Sequence, residues 1–321
     1  MKNPLNKFLV SREFYGLLLI FTGAILFSSK AILVKLSYRF EEQAVSILAL
    51  RMIFSLPFFL IIALLSKRDE SKPKPERNHW LLIVGLGIAG YYFSSLMDFM
   101  GLQYISASLE RLILFIYPTL VILISAFLFK VKIKSNEIIA LCMTYGGIIF
   151  VILTDFNMEQ KSLLKGSVLI FLSAFSYAVY LIGSGKLIPI FGAVRFTAFA
   201  MIISCITVLI HFVCINDIGT LFTLPYQVYI YTLLMAIVST VVPSFMLSEG
   251  IKLIGSEKAS IIGSIGPVST IFLAWVFLGE VINSFQIIGA LMVIAGIIML
   301  QGYGYLIQWL KSKSKYKRGP A

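Results

Sequence analysis

Five ionisable side chains stand inside stretches that are otherwise apolar. They are Lys30 in AILFSSKAILVKL, Arg51 in LALRMIFSLPFFL, Asp98 in YYFSSLMDFMGL, and the adjacent Glu110 and Arg111 in ASLERLILFIYPTLVILISAFLF. An ion in hydrocarbon costs at least about 2.5–3.5 kcal/mol, so such groups face a bundle interior or a water-filled cavity and pair with one another. Tyr91, Ser94, Ser95 and Asp98 fall at i, i+3, i+4 and i+7, one face of a helix, and that face is expected to line a cavity. Glu110, Leu114 and Tyr117 share a second face, while Arg111 points about 100° away, so one of the two adjacent ions is expected to bind a neighbouring helix. Three cations against two anions leave one positive charge to spare, which suits a ligand bearing a carboxylate or another anionic group. The competing reading is an internal ion network that fixes helix packing without touching a ligand. The candidate contact set is Lys30, Arg51, Tyr91, Ser94, Asp98, Glu110, Arg111 and Tyr117.

The composition says what must position these groups. Of 321 residues, 59% are hydrophobic and 13% charged, with mean hydropathy +0.94, against an apolar share of about 45–50% for soluble domains. A bilayer core needs roughly 20 apolar residues per helix. Ten such runs can be placed: Phe14–Leu36, Ala44–Leu65, Trp80–Leu102, Ser106–Phe129, Glu137–Leu153, Gly166–Gly183, Arg195–Val213, Gln227–Ser248, Ala259–Leu278 and Phe285–Tyr305. The fold class is therefore an all-α polytopic membrane protein, and little is left for a soluble domain. The first run is too long for a signal-peptide core, contains Lys30 and lacks a small-residue cleavage site, so it reads as a retained helix.

The net charge of +12 is topological and does not point to nucleic acid. With the N-terminus in the cytoplasm, twenty of the 27 Lys and Arg residues fall on that side. The inner loops hold Lys67, Arg68, Lys72, Lys74 and Arg77, then Lys130, Lys132 and Lys134, with Lys186 and Arg195 later, and the tail carries Lys311 to Arg318. Only Lys35, Arg39, Lys161 and Lys165 fall outside. This asymmetry orients helices in a cytoplasmic membrane, so both termini are expected to be cytoplasmic.

An internal repeat runs at an offset of 149 residues. GLQYISASLERLILFIYPTLVILISAFLF from Gly101 lines up with GIKLIGSEKASIIGSIGPVSTIFLAWVFL from Gly250, which matches Gly101 to Gly250 and Pro118 to Pro267. Gly147 meets Gly296 in the same register, and GLLLIF from Gly16 resembles GSVLIF from Gly166 at an offset of 150. The units are residues 1–160, a first five-helix repeat; 161–305, a second; and 306–321, a basic cytoplasmic tail. Five is odd, so the second copy must enter from the opposite face, giving two inverted five-helix repeats. Such repeats place a binding site near the midplane and expose it to each side in turn, so transport is the expected activity. Pro118 and Pro267 each remove a backbone N–H bond and kink a helix; a matched pair suits gating segments, and a static packing kink is the competing reading.

The stretch GPVSTIFLAWVFLGEVINSFQIIGALMVIAGIIML carries Pro267, Gly279, Glu280, Gln286, Gly289 and Gly296 at a spacing that resembles the EamA family of the drug/metabolite transporter superfamily. AILFSSKAILVKL and LALRMIFSLPFFL support the likeness, which covers about Phe14 to Tyr305. The first repeat departs from it with Val131 opposite Glu280, and Lys30 sits where members often carry a neutral polar residue. The resemblance implies a ten-helix secondary transporter, usually an exporter of amino acids or other small metabolites. It also implies a cavity walled by the third, fourth, eighth and ninth helices and parts of the first and sixth. A nucleotide-sugar or phosphorylated-metabolite exchanger of the same superfamily is the runner-up.

Other classes find little footing. There is no His-rich spacing, Cys pair or nucleophile elbow for an enzyme. Cys142, Cys205 and Cys214 have no paired spacing for a disulfide or metal and read as small apolar fillers. GLGIAG from Gly85 fits a dinucleotide pattern but lies in a membrane helix with no preceding strand. Glu280, after Gly279 at the end of its helix, is expected to have a helix-end role. His79 and His211 are expected at the surface and the membrane interface. If protons drive the protein, Asp98 and Glu110 are the candidate carriers. No cofactor is expected. The expected partners are a small-molecule substrate, the lipid bilayer and a second copy of the chain in a homodimer.

Overall fold

A computed structural model describes the backbone of residues 4–66, 72–130, 135–154, 160–254, 259, 262–263, 265–296 and 298–299. The basic tail 306–321, the last residues of the second repeat, Val131, and the loop cations Lys67, Arg68, Lys132 and Lys134 lie outside the described residues. All described elements are helical. In chain order they are α1 (Pro4–Ser37), α2 (Ala44–Leu65), α3 (Arg77–Gly87), a π turn (Ile88–Phe93), α4 (Ser94–Leu102), α5 (Ala107–Leu114), α6 (Tyr117–Phe129), α7 (Ser135–Thr154), α8 (Gln160–Phe191) and α9 (Ala193–Ile215). A short 3-10 turn (Ile218–Phe222), α10 (Tyr226–Ala236), a second π turn (Ile237–Val241), α11 (Val242–Ile254), α12 (Gly266–Leu278) and α13 (Ser284–Gly296) follow.

Seven helical stretches are long and apolar enough to cross a bilayer, and three shorter apolar ones accompany them. Leu64, Phe127, Leu128, Phe272 and Trp275 stand exposed on the outside of the bundle. In water a continuous surface of that kind drives association; against acyl chains it is the expected coat. The protein is a multi-pass membrane protein.

Two expectations need correcting. The sixth apolar run does not end near Gly183: α8 continues through Lys186 and Pro189 to Phe191, and α9 begins two residues later. Gly192 alone makes the corner, at φ 81° and ψ 149°, a conformation that glycine adopts without steric cost. Nor is the Pro118 run one kinked helix. Phe115 and Ile116 separate α5 from α6, and Pro118 sits in the first turn of α6. Pro267 holds the same place in α12. A first-turn proline gives up an N–H that would be unbonded anyway, so here it starts a helix. The two segments also end alike, with Lys130 and Gly279 in left-handed C-caps.

The sequence repeats pack against each other reciprocally. A Cβ on Gly147 in α7 would lie 2.8 Å from the Gly289 carbonyl of α13, and one on Gly296 would lie 2.8 Å from the Ala140 carbonyl of α7. Ala140 and Gly289, like Gly147 and Gly296, are 149 residues apart, so each contact is the counterpart of the other. The same exchange links Gly250 to Ile20 and Gly101 to Ile170. Gly16 lies beside Leu253 and Ile254, and Gly23 beside Met246 and Leu247, so α1 and α11 run antiparallel. The two π turns also start 149 residues apart.

Because the Gly147 and Gly296 contacts are with backbone, no rotamer change relieves them. Gly147→Ala and Gly296→Ala are each expected to lower stability by about 1–3 kcal/mol. Gly85→Ala, with nothing within 4 Å of the added methyl, should be neutral or stabilising by up to about 1 kcal/mol. Thermal unfolding in detergent reads the three variants side by side.

Candidate functional site

The site begins where three helices, α1, α4 and α5, are brought to one place. Lys30 lies in the second half of α1, Asp98 in α4 beyond the first π turn, and Glu110 in the short α5. The Lys30 ammonium donates to Asp98 Oδ2 at 2.5 Å and lies 3.5 Å from Glu110 Oε1. Asp98 and Glu110 are buried, at 1% and 0% exposure, and the Lys30 side chain at 16%. Asp98 Oδ1 and both Glu110 oxygens accept no hydrogen bond among the described residues. One ammonium thus serves two carboxylates.

Local chemistry holds α5 in place. Ser106 caps it by accepting from the Leu109 amide at 3.2 Å. Glu280, from just past α12, accepts from the Ala107 amide at 2.8 Å, and from the Ser108 amide and hydroxyl at 3.2 and 2.7 Å. The expected helix-end role of Glu280 is therefore played at the start of a helix from the other repeat, where a carboxylate meets the positive end of the helix dipole.

The two arginines go elsewhere. Arg51 is 6% exposed; its Nε donates to Thr240 Oγ1 at 3.1 Å, and its guanidinium lies over the Phe99 ring at 5.5 Å. Its Nη1 is buried without a hydrogen-bond partner among the described residues. Arg111 turns away from Glu110 toward α12, as their spacing requires. A Cβ on Gly266 would lie 2.6 Å from Arg111 Nη2, so glycine is what lets the guanidinium in. Ser28, two residues before Lys30, donates to the Gly266 carbonyl at 3.0 Å. Among the described residues, neither arginine has a carboxylate within 4 Å.

The polar stripe on α3 and α4 is divided. A π turn adds a residue to the backbone ring, which shifts the phase of the side chains beyond it by about 100°. Tyr91 lies inside that turn and hydrogen-bonds the Tyr180 hydroxyl at 3.2 Å; Ser94 bonds the Ser173 hydroxyl and carbonyl at 3.0 and 3.1 Å. Both ties lead to α8, whereas Asp98 reaches α1. Tyr117 starts α6 past the break, so it does not continue the Glu110 face. Its ring packs edge-on to Tyr177 at 5.2 Å, and Tyr177 stacks on Tyr180 at 5.7 Å. Pro118 is half-buried and Pro267 buried at the two helix breaks.

Several participants escaped sequence reasoning. Ser173, Tyr177, Tyr180 and Ser184 recur at i, i+4, i+7 and i+11 on α8, a stripe of the same kind as the one found on α3 and α4. Thr240 and Ser28 left no comparable signal. Of the cysteines only Cys205 is buried, with Cys142 and Cys214 exposed on their helices, so the filler role fits one of three. His211 is half-buried with its ring edge-on to Tyr92 at 5.6 Å, and His79 Nδ1 accepts from the Glu76 amide.

Removing the shared cation leaves two buried carboxylates facing each other. Lys30→Met is expected to cost about 3–5 kcal/mol, and adding Glu110→Gln should recover part of the loss, in a double-mutant cycle of unfolding in detergent. Glu280→Ala should cost about 0.5–2 kcal/mol, as cap losses do.

Comparison with known proteins places this arrangement. A model of the EamA-like transporter family matches twice, over residues 14–153 and 164–301. The chain is 30% identical over 278 residues to "Uncharacterized transporter YcbK" of Bacillus subtilis (strain 168), covering 85% of this chain and 88% of that one. It is 24% identical over 252 residues to "Uncharacterized transporter YyaM" of the same organism, covering 78% and 82%. An uncharacterized transporter of Archaeoglobus fulgidus is 22% identical over 286 residues, covering 89% and 96%. One solved crystal structure shares the fold with a TM-score of 0.59 at 14% identity, over 89% of this chain and 96% of that one. A helical bundle with buried ions beside two matched helix breaks, and two family matches laid end to end along its length, lead to one conclusion: the chain belongs to the EamA-like transporter family.

Proposed function

We propose that this transporter works by alternating access between two inverted five-helix halves, residues 1–160 and 161–305, and that it exports a small polar metabolite such as an amino acid across the cytoplasmic membrane. The observation that carries the reading is the reciprocal, antiparallel packing of helices from the two repeats. Two copies inserted the same way up would place α1 and α11 parallel. Ten membrane crossings with both termini in the cytoplasm follow from five crossings per copy and from the basic inner loops. Pro118 and Pro267, each starting a half-helix, are the matched points at which the two halves bend.

The substrate is taken where buried polar groups keep spare hydrogen-bonding capacity. Asp98 Oδ1 and Glu110 accept a cationic group, and the free edges of Arg51 and Arg111 receive an anionic one. Tyr91, Ser94 and Tyr117 are engaged with α8 and border this region as its wall. A second reading, exchange of nucleotide sugars or phosphorylated metabolites, draws on the same two guanidinium groups, since neither has a carboxylate within 4 Å among the described residues.

Purified protein in liposomes, assayed with labelled amino acids, nucleotides and sugar phosphates, tests both readings. Flux of an amino acid favours the first and flux of a phosphorylated solute the second. Lys30→Ala and Glu110→Gln should each reduce flux at least tenfold with normal membrane insertion. Wild-type rates in both variants remove the site assignment.

A further inference from the structure

Charge and geometry around Glu110 go further than a binding region. Lys30 is in hydrogen-bond contact with Asp98 at 2.5 Å, while Glu110 stands 3.5 Å away with neither oxygen accepting a hydrogen bond among the described residues. Only Lys30 among the described cations comes within 4 Å of either carboxylate. The group Lys30–Asp98–Glu110 therefore carries one negative charge more than it has cations in contact, in a place where an unmatched charge is costly. We propose that Glu110 is a proton-binding site of this transporter, with the Lys30–Asp98 ion pair as its fixed partner; the inference rests on the transport reading only for what the proton is used for.

The neighbours of α5 support a proton over other cations. Elements packed on α5 are α1, α4, α7, α8 and α12. Asp98 is paired with Lys30, Lys165 of α8 donates to the Tyr104 hydroxyl at 2.7 Å, and Glu280 is taken up by the α5 amides. Tyr145 of α7 accepts from Thr119, Tyr177 of α8 packs on Tyr117, and α12 holds no titratable residue. Lys35 on α1 lies on the Glu280 side, and Tyr38, just past α1, donates to the Phe99 carbonyl at 2.6 Å. Arg111 is turned to Gly266 and Arg51 to Thr240. Among the described residues no neighbouring group thus supplies the missing positive charge by contact. A metal ion suits the place poorly: no cluster of three metal-ligating side chains exists among the described residues, and the Lys30 ammonium at 3.5 Å from Glu110 repels a second fixed cation. A proton needs no coordination shell. It arrives from one aqueous face, converts the Glu110 carboxylate to a carboxylic acid, and leaves to the other face when the acid ionises, while Lys30 and Asp98 keep their charges. Glu110 lies five residues before the break between α5 and α6, so a change of its charge acts next to a point where the helix can bend.

Infrared difference spectra of the purified protein between alkaline and acid buffer test the assignment. The wild type should gain the carbonyl band of a buried carboxylic acid as pH falls. Glu110→Gln should lack that band, and Asp98→Asn, which leaves Lys30 to Glu110 alone, should show it reduced in the same pH interval. A band retained in Glu110→Gln, or no titrating band in the wild type, overturns the proposal. In liposomes, an imposed gradient of one pH unit should concentrate a transported solute up to about tenfold for one proton exchanged per solute, and not at all in Glu110→Gln. Wild-type flux indifferent to the gradient overturns the coupling and leaves the transport reading intact. Absence of flux for every solute overturns the transport reading, and the infrared result then decides the proton site alone.

Discussion

One ammonium between two buried carboxylates is the constraint around which the rest is arranged. In a low-dielectric interior the attraction between unit charges is large, but so is the cost of taking each from water, and the balance is favourable only with close geometry. Lys30 meets that condition with Asp98 and only partly with Glu110. Bringing the three together requires α1, α4 and α5 to converge. The Glu280 carboxylate on the α5 amides and the Ser28 hydroxyl on Gly266 fix that convergence from the second repeat. The polar site and the interface between repeats are therefore one structure.

Duplication set the backbone, and divergence set the chemistry. Helix breaks, π turns and left-handed caps recur in both copies at the same offset. The ions do not. At the positions equivalent to Lys30, Arg51, Asp98 and Glu110 the second copy has Tyr180, Ala200, Leu247 and Ala259. A near-symmetric scaffold therefore carries an asymmetric charge distribution: among the described residues the buried ions Arg51, Asp98 and Glu110 all belong to the first copy. Tyr180 shows the exchange directly: where the first copy places an ammonium, the second places a phenol that hydrogen-bonds Tyr91 and stacks on Tyr177 and Phe196.

Irregular backbone marks the same region. Among the described helices the π turns fall only in the equivalent third and eighth apolar runs, and Thr240, inside the second, receives Arg51. A π turn frees a backbone carbonyl and rephases the side chains beyond it, a costly feature in hydrocarbon unless protein or a polar cavity takes up the released groups. The Ser176 hydroxyl of α8 donates to the Ala89 carbonyl inside the first π turn at 2.8 Å, and at the second the Ser239 and Thr240 hydroxyls donate to the Met235 carbonyl at 3.1 and 2.9 Å.

The ten apolar runs, the repeat, the class of protein and the family resemblance were legible in the sequence, because hydrophobic length and periodicity are local properties and a duplication repeats them in order. That ions within these apolar runs must pair with one another was legible too, but not that Lys30, Asp98 and Glu110 are the three that meet. The fates of Arg51 and Arg111 were not: Thr240 and Gly266 lie 189 and 155 residues away, and no local pattern ties such residues together. Nor did periodicity reveal that Ser94 and Asp98, four residues apart on α4, serve different helices, because one helix face can meet α8 at one level and α1 at the next. Net charge counted along the chain gave a cation to spare; only tertiary structure could decide that the surplus at Glu110 is negative, since electrostatic energy depends on distance between charges and on the water excluded around them, and neither is written in the order of residues.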